Sequence, residues 1–306
     1  MHLGAHFRPL EAGAGIAVMA RRLIVNADGF GFGPGATQGI FDAIREGGFI
    51  SSISVNANFP EVARLAELVA QFPQISVGVH LNALAGRPCL PASQVPSLVD
   101  AEGFFFNSKF MGMLRHGKIS MNELEAEFDA QIARAKQFAG DRVTHLDSQA
   151  NSHLNYLPLF LKLAKKWNLG RMRNNASLIC LESPTPRFTR LKAYALKPHV
   201  WLAHHYRKWQ MRRAQASGMR MADMLITVGY AGTGDKSDYD NWQRILRNLP
   251  DGTYEIYCHP AYPDDTLKRW SYYYEERRRE LDILRGGQLR QLAADLGIQL
   301  VPFHAL

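Results

Sequence analysis

Residues 21–31 read RRLIVNADGFG, an apolar segment that ends on a carboxylate and turns at once through glycine. Leu23, Ile24 and Val25 are typical of a buried strand, and Asp28 comes at its carboxyl end. Enzymes with α/β folds keep their chemistry at the carboxyl ends of parallel strands, where side chains from different strands meet. The segment therefore predicts an α/β fold with Asp28 in its functional site.

Three later segments repeat this arrangement of an apolar strand that ends on polar groups. They are ISVGVHLN with His80, VTHLDSQANSH with Asp147 and His153, and TYEIYCHP with His259. Any one of these residues alone is equally well explained as a turn cap or a hydrogen-bonded core histidine. Four converging strand ends favour one metal or acid/base site.

Short apolar runs alternate with longer amphipathic segments along the chain, which is the pattern of β/α units around a parallel sheet. Strands are predicted at 22–26, 50–56, 75–81, 143–147, 171–174, 224–228, 253–258 and 298–302, and helices at 36–47, 60–71, 122–139, 155–168, 239–248 and 286–296. About seven such units indicate a distorted (β/α) barrel, TIM-barrel-like. One domain is expected over 21–306, after a disordered extension at 1–20. The proline-broken segment 87–118 is expected to form a long loop over the site, either as a functional lid or as a packed excursion that covers the barrel end.

Composition limits the class of protein. The chain has 306 residues and 46% hydrophobic content, enough for a large core. Its three cysteines lie far apart without C-x-x-C spacing, so neither a disulfide framework nor a thiolate zinc site is indicated. A cytoplasmic location is the expectation, with peripheral contact at the inner face of the membrane as an extension of it.

The net charge of +8 comes from one segment, the basic arm at 183–222, which holds nine Lys or Arg residues and no Asp or Glu. Aromatic residues lie between these charges, among them Trp201, Tyr206 and Trp209. Such a pattern suits an anionic membrane surface or an amphiphilic substrate. Nucleic acid is a weaker candidate, because only this arm supports it. The alternative is a solvated helical arm that packs on the body or on a second subunit of a homo-oligomer.

Four ordered motifs, LIVNADGFGFGPGATQGIFDAIREGGFISSISVNANFP, ISVGVHLNALAGRPCLP, VTHLDSQANSHLNYLP and LPDGTYEIYCHPAY, resemble the YdjC-like carbohydrate deacetylases. The likeness covers nearly the whole chain from Arg21 onward and is strongest to the hopanoid-biosynthesis-associated branch. It implies a distorted β/α barrel and hydrolysis of the N-acetyl group of an amino-sugar conjugate, such as a glycolipid carrying a hopanoid.

The resemblance also implies roles for individual residues. Asp28 matches the general base of the family, and His80 matches a metal-binding histidine. Gly29 stands where a second, metal-binding acid is usual, and Gln149 stands where another metal-binding histidine is usual. Glycine offers no ligand and a glutamine amide is a poor one for zinc.

His153 matches a second histidine of the same motif, so Asp28, His80 and His153 are expected to hold a divalent metal, zinc or magnesium, in a rearranged site. Asp28 would then be a ligand rather than the base, and Asp147 or His259 would move the proton.

By the same resemblance, His259 lines the site as a proton donor, and Arg173 contacts the substrate. Gln149, as a hydrogen-bonding amide, and Asp147 are also expected to contact the substrate. The missing ligands keep a second hypothesis open: a metal-weak or noncatalytic relative that binds a glycan or lipid without cleaving it.

Overall fold

The computed structural model describes residues 20–176, 178–179, 198–228 and 238–306. All but Ala20 of the predicted N-terminal extension, and residues 183–197 of the basic arm, lie outside these ranges. Within them the strands are β1 (Arg21–Phe30), β2 (Ser52–Val55), β3 (Ser76–Leu81), β4 (Val143–Ser148), β5 (Leu178–Ile179), β6 (Met224–Thr227), β7 (Gly252–Cys258) and β8 (Gln299–Leu300). Every pair is parallel, in the order β4-β3-β2-β1-β7-β6-β5, with β8 beside β1. The predicted parallel α/β architecture is confirmed.

Helices follow most strands and cover the sheet. In the described ranges they are α1 (Pro34–Asp42), α2 (Leu65–Gln71), α3 (Phe110–Arg115), α4 (Met121–Ala139), α5 (Leu157–Lys166), α6 (Pro198–Ala216), α7 (Tyr239–Arg247), α8 (Asp265–Trp270), α9 (Glu276–Arg285) and α10 (Gln288–Asp295). The described part of the basic arm is therefore largely a helix. No helix in the described part of the chain is both long enough and apolar enough to cross a bilayer.

The sheet curves like a barrel, but within the described ranges no continuous ladder closes it. Residues 171–174, predicted as a strand, form only isolated parallel bridges, from Met172 to β4 and from Arg171 to Arg220. The strand prediction is wrong because side chains hold this backbone: the amide of Asn174 donates to two backbone carbonyls just before β6. The apolar residues of the segment resemble a strand, but its polar residues anchor it as a connection.

The predicted loop at 87–118 is an ordered, packed segment. It contains short 3-10 turns and α3, and the rings of Phe105 and Phe110 are buried in the main core. Aromatic residues that showed no clear period in the sequence are thus core residues held by short turns. Asn107 from this segment reaches the wall of the cavity described below.

Strand register brings the polar strand ends together. Asp28 of β1 lies beside Ser54 of β2, and His80 of β3 lies beside Asp147 of β4. The β1–β2 register shifts just after Asp28, where Gly29 has φ +103, a left-handed conformation that favours glycine. β1 ends at Phe30, two residues after Asp28, so Asp28 stays near the carboxyl edge of the sheet.

Candidate active site

Asp28 is held by a two-pronged ion pair with Arg173. The two terminal nitrogens of the guanidinium donate to the two carboxylate oxygens at 2.8 and 2.7 Å. Asn26 donates a further hydrogen bond to Asp28 at 2.7 Å. Both partners of the pair are buried. Such planar, paired contacts fix the orientation of the carboxylate as well as its charge.

Arg173 is shared with two more acids. Its Nη2 lies 3.0 Å from Asp147, and its Nε donates to Glu255 at 2.7 Å. Asp147 is fully buried and also accepts hydrogen bonds from Nδ1 of His80 at 2.8 Å and from Ser54 at 2.7 Å. One cation therefore organises acids from three strands, β1, β4 and β7.

The network sets the charge of each member. Burial raises the pKa of Asp28, but the charge and hydrogen bonds of Arg173 together with the charge of His80 lower it more, so the net shift is downward. Burial also raises the pKa of Asp147, but the charges of Arg173 and His80 and the hydrogen bond from His80 together lower it more. For His80, burial lowers the pKa, but the charge and hydrogen bond of Asp147 together with the charge of Asp28 raise it more, so the net shift is upward. Both aspartates are thus ionised at neutral pH.

Glu255 behaves differently from the other two acids. Burial raises its pKa to about 7, against the opposing effect of Arg173. Its Oε2 has no hydrogen-bond partner among the described residues, as expected for a carboxyl group that is close to half protonated at neutral pH. The three acids therefore carry more negative charge than Arg173 balances, since Asp28 and Asp147 are ionised and Glu255 is partly ionised.

A cavity of about 210 Å³ opens above this cluster. Of the residues predicted from sequence, its wall contains Asp28, His80, Gln149, Arg173 and His259. Tyr257, Tyr272, Tyr273, Trp270 and Arg277 add aromatic and cationic surface. Asp147 lies beneath the cavity, behind His80, and is not part of the wall.

His153 is separated from the Asp28 and His80 side chains by its own hydrogen bonds. Its Nδ1 lies 2.8 Å from the Ser148 hydroxyl, and its Nε2 lies 3.2 Å from the Asn175 amide. Burial lowers its pKa to about 3, so the ring is neutral. The structure brings Asp28 and His80 together and places His153 in a separate polar contact. Its role as a metal ligand stays a prediction.

His259 also lines the cavity. Its ring contacts Tyr257 and Tyr273 edge to face, at centroid distances of 5.5 and 5.8 Å. Burial lowers the pKa of His259 to about 3, and the positive charge of Arg277 acts in the same direction. The imidazole is neutral and carries a single ring proton that can donate to a ligand.

A metal ion is best matched by Asp28, His80 and Asp147. One ligand atom from each lies within 4.8 Å of the other two, and all three residues are buried. Two carboxylates and an imidazole suit a divalent metal. Oδ2 of Asp28 and Oδ1 of Asp147 each accept one hydrogen bond from the described residues and keep a further lone pair. This buried group could therefore bind a metal, in competition with Arg173.

Residues 22–295 match the YdjC-like protein family. The chain belongs to this family. A carbohydrate deacetylase of Halalkalibacterium halodurans is 32% identical to this YdjC-like chain over 86% of its length and 94% of the relative's. A chitooligosaccharide deacetylase of Yersinia pestis is 30% identical, over 93% and 99%.

A solved structure shares the fold. The crystal structure of an Enterococcus faecalis protein, described as a candidate cellobiose-phosphate cleavage protein, superposes with a TM-score of 0.73. The two sequences are 28% identical, and the alignment covers 94% of the YdjC-like chain and 98% of the other. The barrel-like α/β fold predicted from sequence is therefore shared with a known structure.

Arg277 is a cavity residue that the sequence reasoning missed in this YdjC-like chain. Its guanidinium lies 3.4 Å from where a Cβ of Gly29 would be, the position at which the resemblance places a second acid. Arg277 is buried, and its Nε donates to the Tyr273 carbonyl at 2.7 Å. In the sequence it belongs to the run ERRRE, which has the appearance of a solvated helix face. Only the packing of α9 shows that one of these arginines points into the site.

Gln149 lines the cavity, and its role in substrate binding stays a prediction. Its side-chain oxygen accepts a hydrogen bond from Asn56 at 3.3 Å. The next two residues, Ala150 and Asn151, have φ of +52 and +54, so the chain turns sharply in the left-handed region. This turn separates Gln149 from His153 and explains why the motif does not bring both side chains to one point.

Proposed function

We propose that this chain is a carbohydrate N-deacetylase, which hydrolyses the N-acetyl group of an amino-sugar conjugate. Water adds to the acetyl carbon, the C–N bond breaks, and acetate and a free amine leave. The observation that carries the proposal is the buried Asp28, His80 and Asp147 group, of which Asp28 and His80 line a cavity together with aromatic and amide side chains. The names of the relatives support the same reaction class.

We propose that a divalent metal assists the reaction, with zinc or magnesium as the candidates, held by Asp28, His80 and Asp147. When bound, it supplies Lewis acidity toward the acetyl carbonyl and the attacking water. Arg173 holds the Asp28 carboxylate in one orientation and keeps it ionised. A carboxylate at such a position stabilises positive charge and accepts a proton from water only weakly, because its pKa is lowered.

His259 is proposed to contact the acetyl group. As a neutral imidazole it donates one hydrogen bond, and charge that develops on the substrate would raise its pKa toward proton transfer. Arg277 and Gln149 line the same cavity and offer donors to the acetyl oxygen or to sugar hydroxyls. These side chains bind and orient the substrate.

The test measures acetate released from N-acetylated mono- and oligosaccharides, with and without chelator and added zinc or magnesium. Asp28→Asn and His80→Ala should each lower turnover by at least about a hundredfold, because the first removes a charge and the second a proposed metal ligand from the reaction centre. Asp240→Asn, at an exposed position on α7, is the matched control and should keep full activity.

Two outcomes would contradict the proposal. Turnover that survives both substitutions would place the chemistry elsewhere. Saccharide binding without acetate release under any metal condition would favour a noncatalytic glycan binder, the function that Gly29 and Gln149 also allow. Activity that persists after complete metal removal would refute the metal requirement alone.

We further propose that the conjugate is a glycolipid, such as one built on a hopanoid, and that α6 touches the membrane surface. Trp201, Leu202 and Trp209 are exposed large apolar residues on this helix, beside Arg212 and Arg213. Exposed aromatics next to basic residues suit an anionic lipid interface.

Liposome sedimentation tests this membrane contact. The double substitution Trp201→Ala with Trp209→Ala should reduce sedimentation with anionic liposomes several-fold. Met121→Ala, at an exposed apolar position on α4, is the control. Equal sedimentation of the double variant and the control would contradict membrane contact through α6.

A further inference from the structure

The chain just after β7 is held by α9, the helix that also carries Arg277. β7 ends at Cys258, so the backbone amide of His259 lies beyond the strand. This amide donates to Oε2 of Glu280, a residue of α9 that is 2% exposed. Two residues further on, the amide of Ala261 donates to the Arg277 carbonyl at 3.3 Å. Side-chain and backbone groups of α9 therefore fix the segment that carries the cavity histidine.

Glu280 also holds an aromatic ring that contacts His259. Its other carboxylate oxygen, Oε1, accepts a hydrogen bond from the Tyr273 hydroxyl. The Tyr273 ring lies edge to face against the His259 ring, and both residues line the cavity. Pro260 further restricts the backbone of His259, since the residue before a proline favours an extended conformation. One buried carboxylate thus fixes both the backbone of His259 and one neighbour of its ring.

The other side of this segment packs against two glycines of α1. A Cβ on Gly39 would lie 2.6 Å from Cα of Ala261, and one on Gly35 would lie 2.0 Å from the Tyr262 carbonyl oxygen. The amide of Tyr262 donates to the Gly35 carbonyl at 3.0 Å. Because glycine has no side chain, α1 can approach the segment this closely. The segment is therefore enclosed between α1 and α9.

We propose that Glu280 is a positioning residue, which holds the His259 imidazole where it can donate a hydrogen bond to the acetyl group. Among the described residues, Glu280 is not one that lines the cavity, so it acts through His259 and Tyr273. A reacting group that is misplaced by about 1 Å can cost about a hundredfold in rate. The proposal rests on the proposed function for the role of His259, but the placement of the ring can be measured without turnover.

Glu280→Gln tests this role at nearly constant volume. Glutamine has one acceptor oxygen and one amide nitrogen, so it cannot accept from both donors as the two carboxylate oxygens do. With N,N′-diacetylchitobiose as the substrate, kcat should fall at least about tenfold while KM changes less than about twofold. Glu275→Gln makes the same change at an exposed position just before α9, where the side chain forms no capping hydrogen bond, and should keep the wild-type kcat.

A double-substitution cycle separates positioning from a general loss of structure. His259→Ala already lacks the imidazole, so the addition of Glu280→Gln should lower kcat by less than about a further twofold. A general loss of structure would lower kcat by the same factor in both backgrounds, and that result would overturn the proposal. An unchanged kcat for Glu280→Gln in the wild-type background would overturn it too.

The NMR signals of the histidine rings report the placement of His259 without turnover. The signal that is missing from His259→Ala identifies this ring. Glu280→Gln should shift that signal, and Glu275→Gln should leave it in place. Gly39→Ala presses on the segment from α1, so it is a second, independent variant and should shift the signal as well. Gly112→Ala, in a helix and with nothing within 4 Å of the added Cβ, should not.

These signals also separate failure of the positioning role from failure of the proposed function. A shifted signal in Glu280→Gln and Gly39→Ala, in a protein that releases no acetate, would support the positioning role and refute the hydrolase. Acetate release by a wild type whose His259 signal neither variant shifts would refute the positioning role and support the hydrolase.

Discussion

Replacing Arg173 by methionine removes the cation that Asp28, Asp147 and Glu255 share. The guanidinium is buried and lies within 3.0 Å of all three acids. Removing one partner of a buried ion pair costs about 3–5 kcal/mol, because the other charge is left buried and uncompensated. Glu255, with a pKa of about 7, can take up a proton and escape this penalty. Two aspartates cannot do so at pH 7.5, so we expect a loss of about 4 kcal/mol in the free energy of unfolding.

The loss should also depend on pH. In wild type the pKa of each aspartate is lowered, so these groups stabilise the fold above the unfolded value and lose that contribution as pH falls. Without Arg173, burial raises the pKa values of Asp28 and Asp147. The variant therefore becomes more stable relative to wild type as the pH falls and these carboxylates bind protons. The difference between Arg173→Met and wild type should therefore shrink from pH 7.5 to pH 5.

Urea denaturation with chelator present, at both pH values, measures these differences. Arg278→Met is the matched control, since Arg278 is half-exposed and pairs with Asp282 at 3.0 Å within one helix. Arg278→Met should lower the free energy of unfolding by less than about 1 kcal/mol, because an exposed ion pair contributes little. If Arg173→Met does not fold, Arg173→Lys keeps the charge without the two-pronged contact and should fall between the two. Equal losses for Arg173→Met and Arg278→Met, or a loss that does not depend on pH, would refute the reasoning.

Two further predictions concern stability. Glu255 has a pKa raised from 4.5 to about 7, so its stabilising contribution is present below the unfolded value and is lost as pH rises through 7. Urea denaturation measures the difference in the free energy of unfolding between wild type and Glu255→Gln. This difference should fall by about 2–3 kcal/mol between pH 5 and pH 8, and a constant difference would contradict the raised pKa of Glu255. A Cβ on Gly78 would lie 2.2 Å from the His145 ring, which stacks on Phe303, so Gly78→Ala should cost about 1–3 kcal/mol. Gly170→Ala, with nothing within 4 Å, should change thermal stability little, and equal melting temperatures would count against the packing argument.

The sequence predicted most of the sheet because its buried strands are short, apolar and β-branched. Asp28, His80 and Asp147 each end such a strand, and parallel pairing brings their carboxyl ends to one edge. Segments that polar side chains hold in place were harder to predict from the sequence. The segment at 171–174 resembles a strand, but the hydrogen bonds of Asn174 anchor it as a connection.

The positions of some site residues also could not be predicted from sequence. His153 and Gln149 lie in one motif, and their spacing does not reveal the left-handed turn at Ala150 and Asn151 that directs them to different places. The charged run around Arg277 did not indicate a site residue. Only the packing of α9 places Arg277 in the wall of the cavity.

By itself, the sequence determined the α/β class, the strand ends that carry acids and histidines, and the family. These depend on the periodicity and order of residues along the chain. The tertiary structure alone decided that Arg173 joins three acids, that Asp147 rather than His153 lies with Asp28 and His80, and that α9 fixes the chain just after β7. The physical reason is that ion pairs and side-chain hydrogen bonds depend on distances between residues far apart in the chain, which only the packed fold defines.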